Sequence, residues 1–258
     1  MRKPCLITIA FSHYCEKARW ALDRAEVDYV EDAHLPLFSY LPLMRAGAKR
    51  TAPALVTADR AVLVDSTDIL RWCDEHGRAE PLFPAGDGDV DALEDDFDRH
   101  LGPATRRLGY YYLLDDKRAT LDVMGKHGPR WERVLGKAAR PLAAAMLRRR
   151  LKIDQAGAER SRAVIDRTFG EIGERVKDGR KYLCGERFTA ADLTFASLAA
   201  PVVLPEQYAD YLPSEDLWPP AFAKVADGYR KTAAGKLALR LYEERGRGPR
   251  AEPEARAC

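Results

Sequence analysis

The residues best suited to chemistry lie between Phe11 and Trp20, in the segment Phe-Ser-His-Tyr-Cys-Glu-Lys-Ala-Arg-Trp. An apolar run from Leu6 to Ala10 precedes this segment, and a helical pattern continues beyond it to Ala25. A strand that passes into a helix at a small polar residue directs unpaired backbone N–H groups and the positive end of the helix dipole at one place. Ser12 and Cys15 also occupy the two ends of a C-x-x-C spacing, with serine first. Because an anion such as a thiolate is stabilised there, we expect this turn to hold the sulfur of a small thiol.

Ser12 and Cys15 lead to different chemistry. A hydroxyl donor from Ser12, together with the helix dipole, lowers the pKa of a bound thiol, so that its thiolate can attack an electrophilic carbon. Cys15 would instead form a mixed disulfide and make the protein a thiol–disulfide reductase. The first position of a C-x-x-C turn holds the exposed nucleophile, which favours Ser12. In the plainest alternative, Ser12 only caps the helix and Cys15 is a buried inert thiol.

Bulk composition narrows the class of protein. The chain has 258 residues, with 42 basic and 40 acidic side chains and a net charge of +2, so electrostatics favour neither nucleic acid nor a membrane surface as a partner. No apolar run approaches the ~20 residues that cross a bilayer, and we expect no secretory signal at the N-terminus. The five cysteines are widely spread, which suits a cytoplasmic location. Neither they nor the five histidines have the spacing of metal ligands, so we expect no metal.

Hydrophobic periodicity divides the chain into two parts. Residues 1–78 follow the pattern β-α-β-α-β-β-α, in which helices between the first strands imply a parallel pair and the closing hairpin adds an antiparallel one. Residues 79–90 are rich in Gly, Pro and Asp and are predicted to form a linker. Residues 91–245 are predicted to be all-helical, and the tail 246–258 to be disordered.

Three features stand out in the helical part. A helix from Asp91 to Asp116 should be kinked or broken at Gly102-Pro103, because proline removes a helix hydrogen bond. Thr189 and Asp192 form a variant of the capping box and predict the start of an apolar helix. The basic run Arg148-Arg149-Arg150 is predicted to be a solvated face.

The order of these elements resembles a thioredoxin-fold domain followed by an all-helical domain. The whole chain is similar to the cytosolic glutathione transferase superfamily, in which the Thr189–Asp192 capping box also has a counterpart. The segment from Phe11 to Lys17 is similar to the glutaredoxin-like active-site turn of that superfamily. Ser12 then stands where many of these transferases place the residue that meets the glutathione sulfur, and Phe11 beside it is expected to contact glutathione.

Two further motifs carry the resemblance. Ala52-Pro53 precedes a predicted strand, and the resemblance implies a cis bond there, with Ala52 pairing to the backbone of the cysteinyl part of glutathione. Asp65-Ser66 resembles the acid–serine turn that holds the γ-glutamyl amine and carboxylate. The chemistry suits these roles, because Asp65 can pair with an ammonium while Ser66 and the helix N–H groups take a carboxylate. Helix capping is again the alternative.

The resemblance implies a glutathione S-transferase that conjugates glutathione, its co-substrate, to a small electrophile in detoxification. It also implies a homodimer. Lys49 is the candidate for the glycyl carboxylate, and His13, Tyr110 and Tyr111 are candidates for the electrophile pocket. Two alternatives remain open at this point: a glutathione-dependent reductase that uses Cys15, and a non-catalytic transferase-like protein that binds a ligand or a partner.

Overall fold

The computed structural model describes residues 2–48 and 51–246 and contains two compact units. In the described chain, the first unit comprises residues up to 81 together with 123–143, and the second comprises 82–122 and 144–246. The domain boundaries at residues 78 and 90 stay predictions. Apart from Gly246, the predicted tail lies outside the described residues.

A four-stranded sheet forms the core of the first unit, in the strand order β2-β1-β3-β4. The strands are β1 (Cys5–Ile9), β2 (Val30–His34), β3 (Ala54–Val56) and β4 (Val62–Leu63). Strand β1 is parallel to β2 and antiparallel to β3, and β3 is antiparallel to β4. Three helices belong with the sheet: α1 (His13–Arg24), α2 (Tyr40–Arg45) and α3 (Ser66–His76). The predicted order β-α-β-α-β-β-α and the thioredoxin-like class are therefore confirmed.

The strand register brings four chain segments to one edge of this sheet. Ile9, at the end of β1, is paired with His34 at the end of β2. Because β3 runs the other way, its first residue, Ala54, lies beside Ile7 of β1. Leu63, at the end of β4, is paired with Leu55 of β3. The turn after β1, the start of β3 and the turn after β4 consequently share an edge, although they are distant in sequence.

The remaining helices are α4 (Gly88–Asp96), α5 (Gly102–Leu113), α6 (Lys117–Lys126), α7 (Arg130–Leu151), α8 (Gln155–Arg175), α9 (Ala190–Val203), α10 (Pro220–Lys231) and α11 (Ala233–Arg245). A π-helical stretch, Phe97–Leu101, separates α4 from α5 and ends directly before Gly102-Pro103. The helical path is therefore not broken at Gly102-Pro103, as one of the two predicted outcomes would have it: a wider helical turn precedes the proline and lets the chain continue. None of the helices in the described residues is long and apolar enough to cross a membrane.

The second unit is built around α9, which is buried almost throughout. The predicted capping box is present at its N-terminus, between Thr189 and Asp192. One carboxylate oxygen of Asp192 accepts the N–H of Leu183 at 2.8 Å, and the other accepts the N–H and the hydroxyl of Thr189, each at 2.9 Å. Asp192 is fully buried, and its carboxylate joins the preceding loop to the central helix.

Replacing Asp192 with alanine should therefore destabilise the protein strongly. Removal of the carboxylate leaves buried donors unsatisfied, and we expect the free energy of unfolding to fall by roughly 3 kcal/mol. Urea denaturation followed by circular dichroism measures this loss. The control is Asp216→Ala, at an exposed acid in the second unit, which should change the free energy by at most about 0.5 kcal/mol. Equal losses in the two variants would contradict the role given to Asp192.

Candidate functional site

Ser12 ends the turn after β1 and stands at the N-cap of α1, in an extended conformation. Its N–H donates to the carbonyl of Ile9 at 2.8 Å, and its own carbonyl accepts the N–H of Glu16 at 2.9 Å. The hydroxyl makes no capping hydrogen bond to the first turn of the helix. The backbone of Ser12 therefore begins the helix, while its half-buried hydroxyl, which lies beside the Cys15 thiol, makes no bond to the helix backbone.

Arg19 holds this turn in place from inside the helix. Its guanidinium is buried, and Nη2 donates to the carbonyl of Ala10 at 2.7 Å, directly before the turn. Nε donates to Glu31 of β2 at 2.9 Å, and Nη1 lies 3.3 Å from Glu16. Because this buried guanidinium bonds a carbonyl beside the turn and carboxylates of α1 and β2, it fixes the position of the turn relative to β1 and β2.

Cys15, the alternative residue of the turn, is completely buried in the first turns of α1. Burial raises the pKa of its thiol to about 11, although Arg19 and hydrogen bonds from the Ile9 backbone and the Ser12 side chain act in the opposite direction. At neutral pH this sulfur is a thiol rather than a thiolate, and the thiolate is the reactive form. The geometry therefore favours Ser12 over Cys15 as the residue that meets a ligand.

The bond between Ala52 and Pro53 is cis, as the resemblance implies. Pro53 is buried and directly precedes β3, whereas Ala52 is half-buried. The backbone of Ala52 therefore lies at the sheet edge that also carries the Ser12 turn.

Asp65 and Ser66 begin α3 at the same edge. Asp65 is the N-cap, and one of its carboxylate oxygens accepts the N–H of Thr67 at 2.8 Å. Asp65 is exposed, whereas Ser66, the first helical residue, is buried. The fully buried Lys17 of α1 donates to the hydroxyl of Thr67 at 3.1 Å. This hydrogen bond ties the first turn of α3 to α1, so the N-terminal ends of two helices and a buried ammonium all lie at this side of the sheet.

Other predicted site residues are placed differently. Lys49 lies outside the described residues. His13 is only 3% exposed, and its ring lies 4.6 Å from that of Tyr14, so burial weighs against direct contact with an electrophile. Tyr110 and Tyr111 belong to α5 in the second unit, where Tyr110 is half-buried and Tyr111 is exposed. Phe11 is half-buried beside Ser12.

A cavity of about 970 Å³ lies in the second unit, between the α4 region and α8. Its lining includes Phe97, His100, Asp166 and Arg175. None of the predicted site residues lines it.

The structure adds one pairing that sequence reasoning missed. His34, at the end of β2, lies between two carboxylates, with Nδ1 2.5 Å from Glu132 of α7 and Nε2 3.1 Å from Asp32. The second oxygen of Glu132 accepts the N–H of Leu35 at 2.9 Å. Burial alone would lower the pKa of His34, but hydrogen bonds to Asp32 and Glu132 outweigh it and raise the pKa to about 9. His34 is therefore a buried cation at the site edge.

Close packing accompanies this pairing. A Cβ atom on Gly136 of α7 would lie 2.9 Å from both Leu35 and Met124, closer than real Cβ contacts allow. The ring of Trp131 meets that of Phe38 edge-on, with 5.4 Å between centroids. The first half of α7 is thus fitted against the segment that follows β2. No local sequence pattern could have signalled this, because His34 and Glu132 are 98 residues apart.

Comparisons with known proteins agree with this architecture. A model of the glutathione S-transferase N-terminal domain matches residues 11–76, and a model of the C-terminal domain of the same proteins matches residues 155–227. No curated protein matches the sequence significantly.

Solved structures resemble the chain over nearly its whole length. A glutathione transferase from Phanerochaete chrysosporium is 20% identical with a TM-score of 0.62, covering 96% of this chain and 100% of that one. The glutathione S-transferase of Ceriporiopsis subvermispora, solved in complex with glutathione, is 16% identical with a TM-score of 0.61, covering 97% and 100%. A beta-etherase from Sphingobium sp. strain SYK-6 is 14% identical with a TM-score of 0.58, covering 93% and 99%. At these identities the likeness concerns the fold alone.

The His34 pairing makes stability depend on pH in a defined direction. The pKa of His34 rises from 6.5 to about 9 on folding, so its stabilisation is complete below pH 6.5 and is lost as the pH rises through 9. Relative to His34→Gln, the wild type should lose about 3 kcal/mol of unfolding free energy between these pH values. Urea denaturation at a series of pH values measures the difference. In the control His76→Gln, at an exposed histidine, no such trend is expected. A pH-independent difference between wild type and His34→Gln would refute the pairing.

Proposed function

Because the chain belongs to the glutathione S-transferase superfamily, we propose that it binds glutathione and transfers the glutathione thiolate to the electrophilic carbon of a small molecule. The observation that carries the proposal is the convergence of Ser12, the cis Ala52–Pro53 bond and Asp65-Ser66 at one edge of the sheet. The three motifs come from separate parts of the chain, and each suits a different portion of one tripeptide.

The dimensions of the edge suit a tripeptide. Neighbouring strands lie about 4.8 Å apart, so the ends of β2 and β4 are separated by about 14 Å. An extended tripeptide spans about 10 Å. In this arrangement the γ-glutamyl group lies at the start of α3, the cysteinyl group lies between Ser12 and Ala52, and the glycyl group extends toward the end of β2. Leu35 N–H is already bonded to Glu132 there, so another group must take the glycyl carboxylate.

Asp65 is suited to the γ-glutamyl ammonium. One of its oxygens caps α3, and the residue is exposed, so its charge is accessible to a ligand. The N–H groups of the first turn of α3 then face the α-carboxylate, with Ser66 as a further donor. An acid beside a helix N-terminus accordingly recognises both charges of an amino-acid group.

Ser12 is suited to the thiolate. A free thiol has a pKa near 8.5, so only a few per cent of it is nucleophilic at neutral pH. The Ser12 hydroxyl is not used for capping and can donate to the sulfur, while the N-terminal end of α1 favours negative charge. Together these effects are expected to lower the thiol pKa by about one to two units, each worth ~1.4 kcal/mol. Ser12 does not itself attack the electrophile.

The rival proposals fit less well. A reductase that uses Cys15 needs an accessible thiolate, but Cys15 is buried and its pKa is raised to about 11. A non-catalytic binding protein would share the fold, and glutathione turnover separates it from a transferase. The identity of the electrophile, a role for Tyr110 or Tyr111 in binding it, the homodimer, the cytoplasmic location and the part in detoxification all remain proposals that follow from the family.

The role of Ser12 is tested by comparing Ser12→Ala with Cys15→Ala. The rate of glutathione conjugation to a model aryl halide at pH 7 should fall roughly tenfold or more in Ser12→Ala, because the thiol pKa rises by at least about one unit. It should change little in Cys15→Ala. Because the hydroxyl makes no capping bond, Ser12→Ala should keep its melting temperature. An unchanged rate in Ser12→Ala beside an inactive Cys15→Ala would favour the redox mechanism.

The glutathione site is tested by calorimetric titration of wild type, Asp65→Asn and Asp68→Asn. Asparagine still caps a helix, so Asp65→Asn keeps α3 but loses the charge that pairs with the ammonium. Its dissociation constant for glutathione should rise roughly tenfold, equivalent to about 1.4 kcal/mol. Asp68, an exposed acid in the same helical turn, is the matched control and should leave binding unchanged. Absence of glutathione binding to the wild type would eliminate the proposed function.

A further inference from the structure

Helix α7 presents an unusual apolar surface. Five large side chains are exposed along it, by 47–68%: Trp131, Val134, Leu135, Leu142 and Met146. At 3.6 residues per turn they fall within about 120° of the helix circumference, so they form one continuous stripe. We refer to these five residues as the α7 stripe. Isolated exposed apolar residues are common, but a stripe that runs most of the length of a helix requires a reason.

The charged side chains of α7 are almost all basic. The helix carries seven basic residues: Arg130, Arg133, Lys137, Arg140, Arg148, Arg149 and Arg150. Its one acidic residue, Glu132, is buried and bonded to His34, so it contributes no negative charge to the surface. Arg130, Lys137 and Arg149 are exposed. Helical geometry places Lys137 and Arg130 along one side of the stripe and Arg149 in line with it.

The stripe cannot turn inward, because the other side of α7 is already fitted to the first unit. Glu132 bonds His34 and the Leu35 N–H, and Gly136 permits close contact with Leu35. These contacts set the rotation of the first half of the helix. Exposure of Trp131, Val134 and Leu135 therefore follows from the packing of the fold.

We propose that α7 docks on an anionic lipid surface, with the stripe inserted among the acyl chains and the flanking lysine and arginines at the headgroups. A helix with an apolar face, tryptophan on that face and a strongly basic flank has the composition of helices that lie in the plane of a membrane interface. Basic residues near such a surface are attracted by anionic headgroups. This mode of binding requires no membrane-spanning helix.

The basic charge and the apolar stripe of α7 together favour an anionic lipid surface over a second copy of α7 or a nucleic acid. A second copy of α7 would bring two strongly basic helices together, and their repulsion opposes a dimer in which α7 packs on α7. Nucleic acid would satisfy the cations but would leave Val134, Leu135 and Leu142 against a polar backbone. The whole-chain charge of +2 does not reveal the site, because acidic residues elsewhere balance the seven cations of one helix.

Co-sedimentation of the full chain with lipid vesicles tests the proposal. The protein should bind vesicles that contain phosphatidylglycerol and should bind pure phosphatidylcholine vesicles at least roughly tenfold more weakly. Binding to anionic vesicles should weaken in about 1 M salt, where the Debye length is about 3 Å. Trp131 fluorescence, taken as the difference between wild type and Trp131→Phe, should be quenched by brominated lipid. Equal binding to both kinds of vesicle, or none, would overturn the proposal.

Paired variants identify the surface. Val134→Ser combined with Leu142→Ser should weaken vesicle binding roughly tenfold or more. The double variant loses the free energy gained when two apolar side chains move from water into the lipid. The matched control, Leu41→Ser with Met44→Ser, removes comparably exposed side chains from α2 and should leave binding unchanged. Equal loss in both pairs overturns the assignment to α7.

Two further measurements complete the test. In analytical ultracentrifugation, the contrary result is that the wild type self-associates while the Val134→Ser, Leu142→Ser double variant does not. That result would identify a second copy of the chain as the occupant of the stripe and would overturn the lipid proposal. Glutathione titration should be the same in both variant pairs. A failure of vesicle binding can therefore be distinguished from a failure of the proposed transferase function.

Discussion

The central position of β1 in the sheet is the constraint on which the candidate site depends. Its parallel pairing with β2 and antiparallel pairing with β3 leave one arrangement of strand ends: Ile9 beside His34, and Ile7 beside Ala54. Leu6 and Ile7 point to opposite faces of β1 and are both fully buried, so this strand is packed on both faces as well as paired on both sides. Three separate sequence motifs meet at one edge because this strand is paired on both sides.

Buried charge then makes that edge rigid. The Arg19 guanidinium bonds the Ala10 carbonyl and two carboxylates, and the ammonium of Lys17 bonds Thr67 at the start of α3. Charges removed from water are costly unless they are paired, and breaking a buried pair typically costs about 3–5 kcal/mol. Alternative positions of the Ser12 turn would leave such charges unpaired. The same charges that are expensive to bury therefore position the hydroxyl and the helix ends that the proposed chemistry needs.

Helix α7 shows how one element can serve two environments. Glu132 and Gly136 adapt one side of it to the segment after β2, and the α7 stripe with its basic flank occupies the opposite side. Pairing of Glu132 with His34 also removes the one acidic side chain of α7 from the surface. The internal contact and the exposed basic surface are consequently linked. A helix fixed in rotation on its inner side must present whatever residues remain on its outer side.

Interactions between residues that are close in sequence let the sequence by itself determine the secondary structure of the first part and several helix ends. The order of strands and helices in the first part and the Thr189–Asp192 capping box depend on residues within one or two turns of each other. The same holds for the helix starts at Ser12 and at the Asp65-Ser66 turn. Tertiary structure decided the burial of Cys15, which raises its pKa to about 11, and the pairing of His34 with Glu132, 98 residues away. It also decided which face of α7 meets water. Periodicity shows that a helix has faces, but desolvation and long-range pairing depend on which distant segments pack against each face, and only the folded chain brings those segments together.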